Sequence, residues 1–216
     1  MNNVIVSFAT GNLHTKLLEL AVPTFYKYAL KHSYDLFIPS YKEIVEICKD
    51  YNWDHNRPAS WLKVPVIKRL IELGYTNVLW LDSDVYINNI EPNILEYFDH
   101  NNLIQAFVVH IDRYEGQVPN CGVWLLNNKS KEFLDLIWSQ EEFINHKWWE
   151  QGSNIALLEK HNNFLEQTAV LPYEFNIHKN DLRYNENMEK NGYFLHATSY
   201  HDRLGTMKKW AFKKHK

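Results

Sequence analysis

The run Val78-Leu79-Trp80-Leu81 is apolar at every position, and it stops abruptly at Asp82-Ser83-Asp84. A strand with no polar alternation must be covered on both faces, which places it inside a sheet with helices above and below. The surrounding sequence agrees. Residues 4–9 form a short β-branched run ending at Thr10-Gly11-Asn12, and a helical pattern follows over 13–31, with Pro23 expected to kink or break it. Residues 34–38 read as a second strand, 40–58 as polar and irregular with one short helix, 64–73 as a helix with Gly74 near its end, and 77–81 as the third strand. Further strands are expected at 104–109, 122–126, 169–171 and 193–196, and further helices at 131–139 and 150–160. Strands alternating with helices define an α/β fold with a mixed, mainly parallel sheet flanked by helices, and ligands bind such sheets at the carboxyl ends of the strands.

With 216 residues, 45% of them hydrophobic, the chain can fill one core, and no repeat or linker divides it, so residues 1–216 are read as one domain. The formal charge is only -3, and Lys and Arg are dispersed apart from a basic end over 208–216. That distribution lacks the broad positive footprint of a nucleic-acid-binding protein. Cys48 and Cys121 are too few for the disulfide scaffold of a small secreted domain and read as free thiols. There is no charged leader and no apolar run of membrane-spanning length. The expectation is a soluble, cytoplasmic chain, or one domain cut from a longer or membrane-tethered polypeptide.

Asp82 and Asp84 are alternate residues just past a buried strand, and both can turn toward one hard cation, Mn²⁺ or Mg²⁺, if the chain leaves regular pleating there. A divalent ion so held neutralises the charge that builds on a departing diphosphate. An arbitrary Asp-x-Asp is usually a pair of solvated turn carboxylates; at the end of a fully buried strand, charge needs partners. Asp82-Ser83-Asp84-Val85 also resembles the motif of haloacid dehalogenase-type phosphatases, with Asp82 as nucleophile. Those enzymes carry the motif on their first strand and add a later acidic pair, which this sequence lacks.

Several separated segments then fall in a significant order: Trp61-Leu62-Lys63, the helix after it, the strand with its acidic end, Asn120-Cys121-Gly122-Val123, Trp149-Glu150-Gln151, and Leu195-His196. Together they resemble the retaining GT-A glycosyltransferases, which move a sugar from a nucleoside diphosphate to an acceptor hydroxyl. The similarity is nearest to glycosyltransferase family 34, the galactosyl-, mannosyl- and xylosyltransferase-like group, and to compact transferase domains of large algal viruses. It is more distant to the glycogenin-like family 8, and it runs over residues 4–210. A noncatalytic module that binds sugar nucleotides or glycans would share the fold.

The resemblance implies a nucleotide against Thr10, Gly11 and Asn12, and Lys63 on the donor's phosphates or sugar. It implies Asp82, Ser83 and Asp84 at the donor and metal, and Asn120 and Gly122 lining the donor sugar, with Cys121 where the family often has Ala or Thr. Glu150 or Gln151 would lie beneath the reactive carbon as the catalytic pair. His196 would be the third metal ligand, and an imidazole among the ligands favours Mn²⁺ over Mg²⁺. Lys208-Lys209-Trp210 resembles a closing Lys-Pro-Trp whose lysine meets the diphosphate, which makes Lys208 the first choice and leaves Arg203 and Lys209 open. A UDP-sugar is the favoured donor, with GDP used by the mannosyl members, and the acceptor is a glycan or glycoprotein. The flat faces of His110, Trp124, Trp148 and Trp149 could stack on sugar rings or fill the core equally well.

Overall fold

The computed structural model describes residues 2–51, 53 and 57–213. Parts of the irregular 40–58 segment and the last residues of the basic end lie outside the described residues. The chain starts with β1 (Asn3–Val6), α1 (Gly11–His32), β2 (Tyr34–Phe37), α2 (Tyr41–Lys49) and α3 (Lys63–Glu72). The central strand β3 (Asn77–Leu81) is followed at once by a short β4 (Val85–Ile87), then by β5 (Gln105–Asp112) and β6 (Gly116–Asn127). The rest comprises α4 (Lys131–Ser139), α5 (Trp149–Lys160), α6 (Asn162–Glu166), β7 (Thr168–Val170), α7 (Glu186–Asn191), β8 (Phe194–His196) and α8 (Arg203–Lys213).

Six strands form one sheet in the order β2-β1-β3-β6-β5-β7, in which β6 alone runs against the others. Every residue of β3 is buried, as its unalternated sequence requires. Leu79 and Leu81 face one core with Ile5, Ala21, Phe25 and Tyr28, while Val78 and Trp80 face a second with Val66, Leu70, Phe133 and Leu134. One layer of helices therefore rests on each face, and the mixed, mainly parallel α/β sandwich is the fold expected. Both cysteines are free and buried, as read from the sequence.

Two local departures have physical reasons. α1 runs without a break through Pro23. The missing N–H costs one intrahelical bond, but Leu17, Ala21, Phe25 and Tyr28, on both sides of the proline, are packed on the same sheet face and hold the axis. The strand expected at 122–126 extends back to Gly116 because β5 pairs with it along a hairpin, and the register slips between Phe107 and Val108. Phe107 faces Trp124 and Val108 faces Asn120, so Cys121, Gly122 and Val123 bulge away from β5. That bulge delivers Asn120 and Gly122 to the end of β3.

Candidate active site

After Leu81 the backbone turns. The Asp82 N–H donates to Gly122 O (2.8 Å) and the Val85 N–H to Asp82 O (3.0 Å), and the chain continues as β4. β4 pairs antiparallel with β8, setting Val85 opposite His196, while the Ala197 N–H donates to Asp84 O at 2.9 Å. A histidine far along the sequence is thus pinned beside the acidic turn by a two-stranded sheet. One ligand atom from each of Asp82, Asp84 and His196 lies within 4.8 Å of the others, and Asp84 and His196 are buried.

Hydrogen-bond direction in this corner can be deduced. The Gly122 N–H donates to Asn120 Oδ1 (2.9 Å), so the group of Asn176 that meets the same oxygen at 2.8 Å is its NH₂. The other end of that amide, Oδ1, then faces His196 Nδ1 at 3.0 Å, and Nδ1 carries the proton. That leaves His196 Nε2 facing Asp84 Oδ1 (3.2 Å) and Asp82 Oδ2 (3.9 Å). A proton on Nε2 would join this cluster as an imidazolium–carboxylate pair, and without it two carboxylates and an imidazole fixed by a partner on its other nitrogen form a donor set able to hold a divalent cation. The remaining carboxylate oxygens are engaged elsewhere. Asp82 Oδ1 accepts from Trp80 Nε1 (2.6 Å) and Lys63 Nζ (3.0 Å), and Asp84 Oδ2 meets Arg203 Nη1 at 3.4 Å. Burial alone would raise the pKa of Asp84, but His196 and Arg203 outweigh it and hold the carboxyl below the ordinary range.

Gly122 has a role here that close approach of a donor does not cover. A Cβ at 122 would lie 2.9 Å from both His196 Nδ1 and Asn120 Oδ1, and nearer still to His196 Cε1. The imidazole ring occupies the space that a side chain would take.

Lys63 opens α3 and is buried, with its three ammonium protons directed at Asp82 Oδ1, at Glu150 Oε1 (2.8 Å) and at Cys121 O (3.4 Å). Burial opposes its charge, but the two carboxylates more than restore it and raise its pKa; burial holds Glu150 above the usual carboxylate range despite Lys63. Gln151, the next residue on α5, accepts the Cys121 N–H at 3.1 Å.

These groups line one cleft of about 890 Å³. It gathers Thr10, Lys63, Asp82, Ser83, Asp84, Asn120, Gly122, Glu150, Gln151 and His196 from six separate stretches of chain. Thr10 also borders an adjoining groove of about 500 Å³ that includes Gly11, where φ of +77° opens α1. Asn12 is exposed and lines neither space. Lys208 is also exposed and outside the cleft: Met207 and Trp210 turn inward from α8, which turns Lys208 to solvent. Arg203, at the start of α8, is the basic residue of that segment that reaches the cleft. Trp124 is fully buried and serves the core. Sequence reasoning passed over two participants. Asn176 is fully buried behind His196, and His14 lines the cleft with Nδ1 2.9 Å from Ser83 Oγ. Neither sits in a recognisable motif.

Behind Asn176 lie two neutral histidines. His110 Nε2 donates to Asn176 O (2.7 Å), and the rings of His110 and His178 are 3.8 Å apart. Burial, then the neighbouring imidazole, pushes His110 down to about 2, and burial, then His196, pushes His178 down to about 4. Both folded values lie below the unfolded one near 6.5, so the unfolded chain binds more protons as acid is added. Stability tied to this pair is complete above about pH 6.5 and falls as pH drops below it, by up to roughly 1.4 kcal/mol per pH unit for each imidazole. Urea titrations between pH 7 and 5 are expected to show that fall, with a shallower slope for His110→Gln. An unfolding midpoint flat over this range would contradict the assignment.

A mixed sheet whose central strand ends in a cation-ready cluster at the floor of a cleft is the arrangement of the GT-A glycosyltransferases. The chain belongs to the nucleotide-diphospho-sugar transferase family, whose sequence model matches residues 13–212. It is therefore a glycosyltransferase, and the phosphatase and noncatalytic readings are set aside. No protein in the curated comparison matches it in sequence. Among solved structures it is similar to a glycosyltransferase involved in the glycosylation of the major capsid of PBCV-1, with a TM-score of 0.69 and 17% identity over 97% of this chain and 100% of that one. It is also similar to mouse xyloside xylosyltransferase 1 (TM-score 0.52, 9% identity, 92% and 97% covered) and to GlyE of Streptococcus pneumoniae TIGR4 (0.59, 15%, 98% and 60%). At these identities the likeness is one of fold. No helix among the described residues is long and apolar enough to cross a membrane.

Proposed function

We propose that the protein transfers a sugar from a nucleoside-diphosphate donor, a UDP-sugar in the first instance, to a hydroxyl of a glycan or glycoprotein, in a reaction that needs Mn²⁺ and retains the anomeric configuration. The observation that carries this reading is the convergence of Asp82 Oδ2, Asp84 Oδ1 and His196 Nε2 in one corner of the cleft. An ion bound there supplies positive charge against the charge gathering on a departing diphosphate. Thr10 and Gly11, at the start of α1, receive the nucleotide, and Asn120 and Ser83 border the donor sugar and phosphates. Lys63, its protons already committed, acts by fixing Asp82 and balancing Glu150, while Arg203 is the cation that meets the leaving group. Glu150 provides buried negative charge beneath the reacting sugar, where positive character develops, and Gln151 provides its amide. The preference for UDP and the expectation of retention rest on the resemblance to families 34 and 8.

Thermal-shift screening against UDP- and GDP-sugars with and without Mn²⁺ tests the reading. A ligand present at about 100 times its Kd stabilises the native state by about 2.7 kcal/mol, so a UDP-sugar is expected to raise Tm in the presence of Mn²⁺ and to fail without it. If no donor shifts the transition under either condition, the proposal is wrong. Proton NMR of the newly formed linkage reads retention separately, since an inverted anomeric centre would refute that part alone.

A further inference from the structure

Trp149, the first residue of α5, is 44% exposed inside the cleft and has φ of +47°. A bulky aromatic residue in the left-handed region is a strained outlier, and such strain persists at sites that use it. Among the described non-glycine residues Ser33 alone shares the sign, and Ser33 is an ordinary helix C-cap. The twist separates neighbours: Glu150 turns inward to Lys63 while the Trp149 ring stays in the open. Tyr114 borders the same cleft, 87% exposed at the tip of the β5–β6 hairpin, and the hairpin is tied to the segment before α5 by Glu115 and Lys147 at 2.6 Å. The Lys147 ammonium sits 4.3 Å from the centre of the Trp148 ring, so that face is already covered. Thr10 and Ala59 mark the nucleotide end, since they border both the cleft and the adjoining groove; the hairpin tip and residues 147–149 border the cleft alone.

From this arrangement we infer that Trp149 is the platform of the acceptor subsite and that its occupant is a neutral pyranose, the terminal sugar of a glycan. The assignment rests on the transferase reading above. A pyranose offers an apolar face of C–H groups that suits an exposed indole, and hydroxyls round its edge that suit Asp112, Glu115 and Asn180, which border the same cleft. A serine- or threonine-bearing peptide has no such face. Gln151, two residues beyond Trp149, reaches the Cys121 N–H beside Gly122, so the first turn of α5 links this platform to the metal corner.

The test uses saturation-transfer-difference NMR on the whole chain, with methyl glycosides of glucose, galactose, mannose and xylose as probes and a threonine-containing peptide alongside them. At least one methyl pyranoside is expected to receive saturation at its ring C–H protons from the wild type. Trp149→Phe should retain that contact, and Trp149→Gly should weaken it about tenfold or more. Glycine suits the positive φ, so Trp149→Gly should melt at or above the wild-type temperature and any loss reports on the ring. The proposal is overturned if the wild type contacts no pyranoside, if Trp149→Gly binds as well as the wild type, or if the peptide alone binds. Nucleotide release from UDP- and GDP-sugars by the wild type separates the two readings. Release without pyranoside contact sinks the platform alone, and pyranoside contact without release sinks the transferase chemistry and leaves Trp149 as a sugar-stacking residue with no acceptor role.

Discussion

Asp84→Asn is expected to reduce Mn²⁺-dependent nucleotide release and sugar transfer by roughly a thousandfold. The substitution keeps the shape of the side chain and leaves the backbone bond from the Ala197 N–H to Asp84 O in place, so β4 and β8 should remain paired. It removes the negative charge from the oxygen that faces His196 Nε2 and leaves Arg203 without its carboxylate. Asp82→Asn should be milder, because one of its oxygens is already taken by Trp80 and Lys63 and only Oδ2 faces the ion. Measuring UDP release across a manganese titration checks both. Wild-type turnover in Asp84→Asn, with manganese still required, would refute the assignment of the site.

Gly122→Ala should cost as much in ion binding as the loss of a direct supporting partner, about 10- to 100-fold in Mn²⁺ affinity. The added methyl overlaps the His196 ring, which must swing away and give up its Nδ1 bond to Asn176 Oδ1. Nε2 then no longer points between the carboxylates. Overpacking of this kind also lowers stability by about 1–3 kcal/mol. Electron paramagnetic resonance of free Mn²⁺ gives the affinity and urea unfolding the stability. If Gly122 serves only to let the donor approach, Mn²⁺ affinity will be unchanged and the KM for the donor alone will rise.

The parts of the molecule that could be read from sequence are those whose cause is local. The bounds 77–81 and 131–139 coincide with β3 and α4 because one is an apolar run behind Asn77 and the other a clean amphipathic helix. β4 was not foreseen. Val85-Tyr86-Ile87 is too short to announce itself, and it is a strand only because β8 arrives to pair with it. The polar start of β6 has no alternation and is held by its hairpin partner. At the site, Asp82, Asp84 and His196 could be picked out because a buried strand ends in charge and an ordered set of motifs supplied the histidine. Asn176 could not: it reaches His196 through an isolated bridge between Ile177 and Leu195, a contact that no spacing encodes. The segment near 208 showed several cations, but which one enters the cleft depends on how α8 is rolled about its axis, and the inward turn of Met207 and Trp210 decides for Arg203.

The two-stranded sheet formed by β4 and β8 also sets a clock. Asp84 is made 112 residues before His196, so a nascent chain holds the two carboxylates without the imidazole until β8 is made and docks on β4. If the three groups hold a cation as proposed, its tight capture is therefore reserved for a chain that has folded through β8.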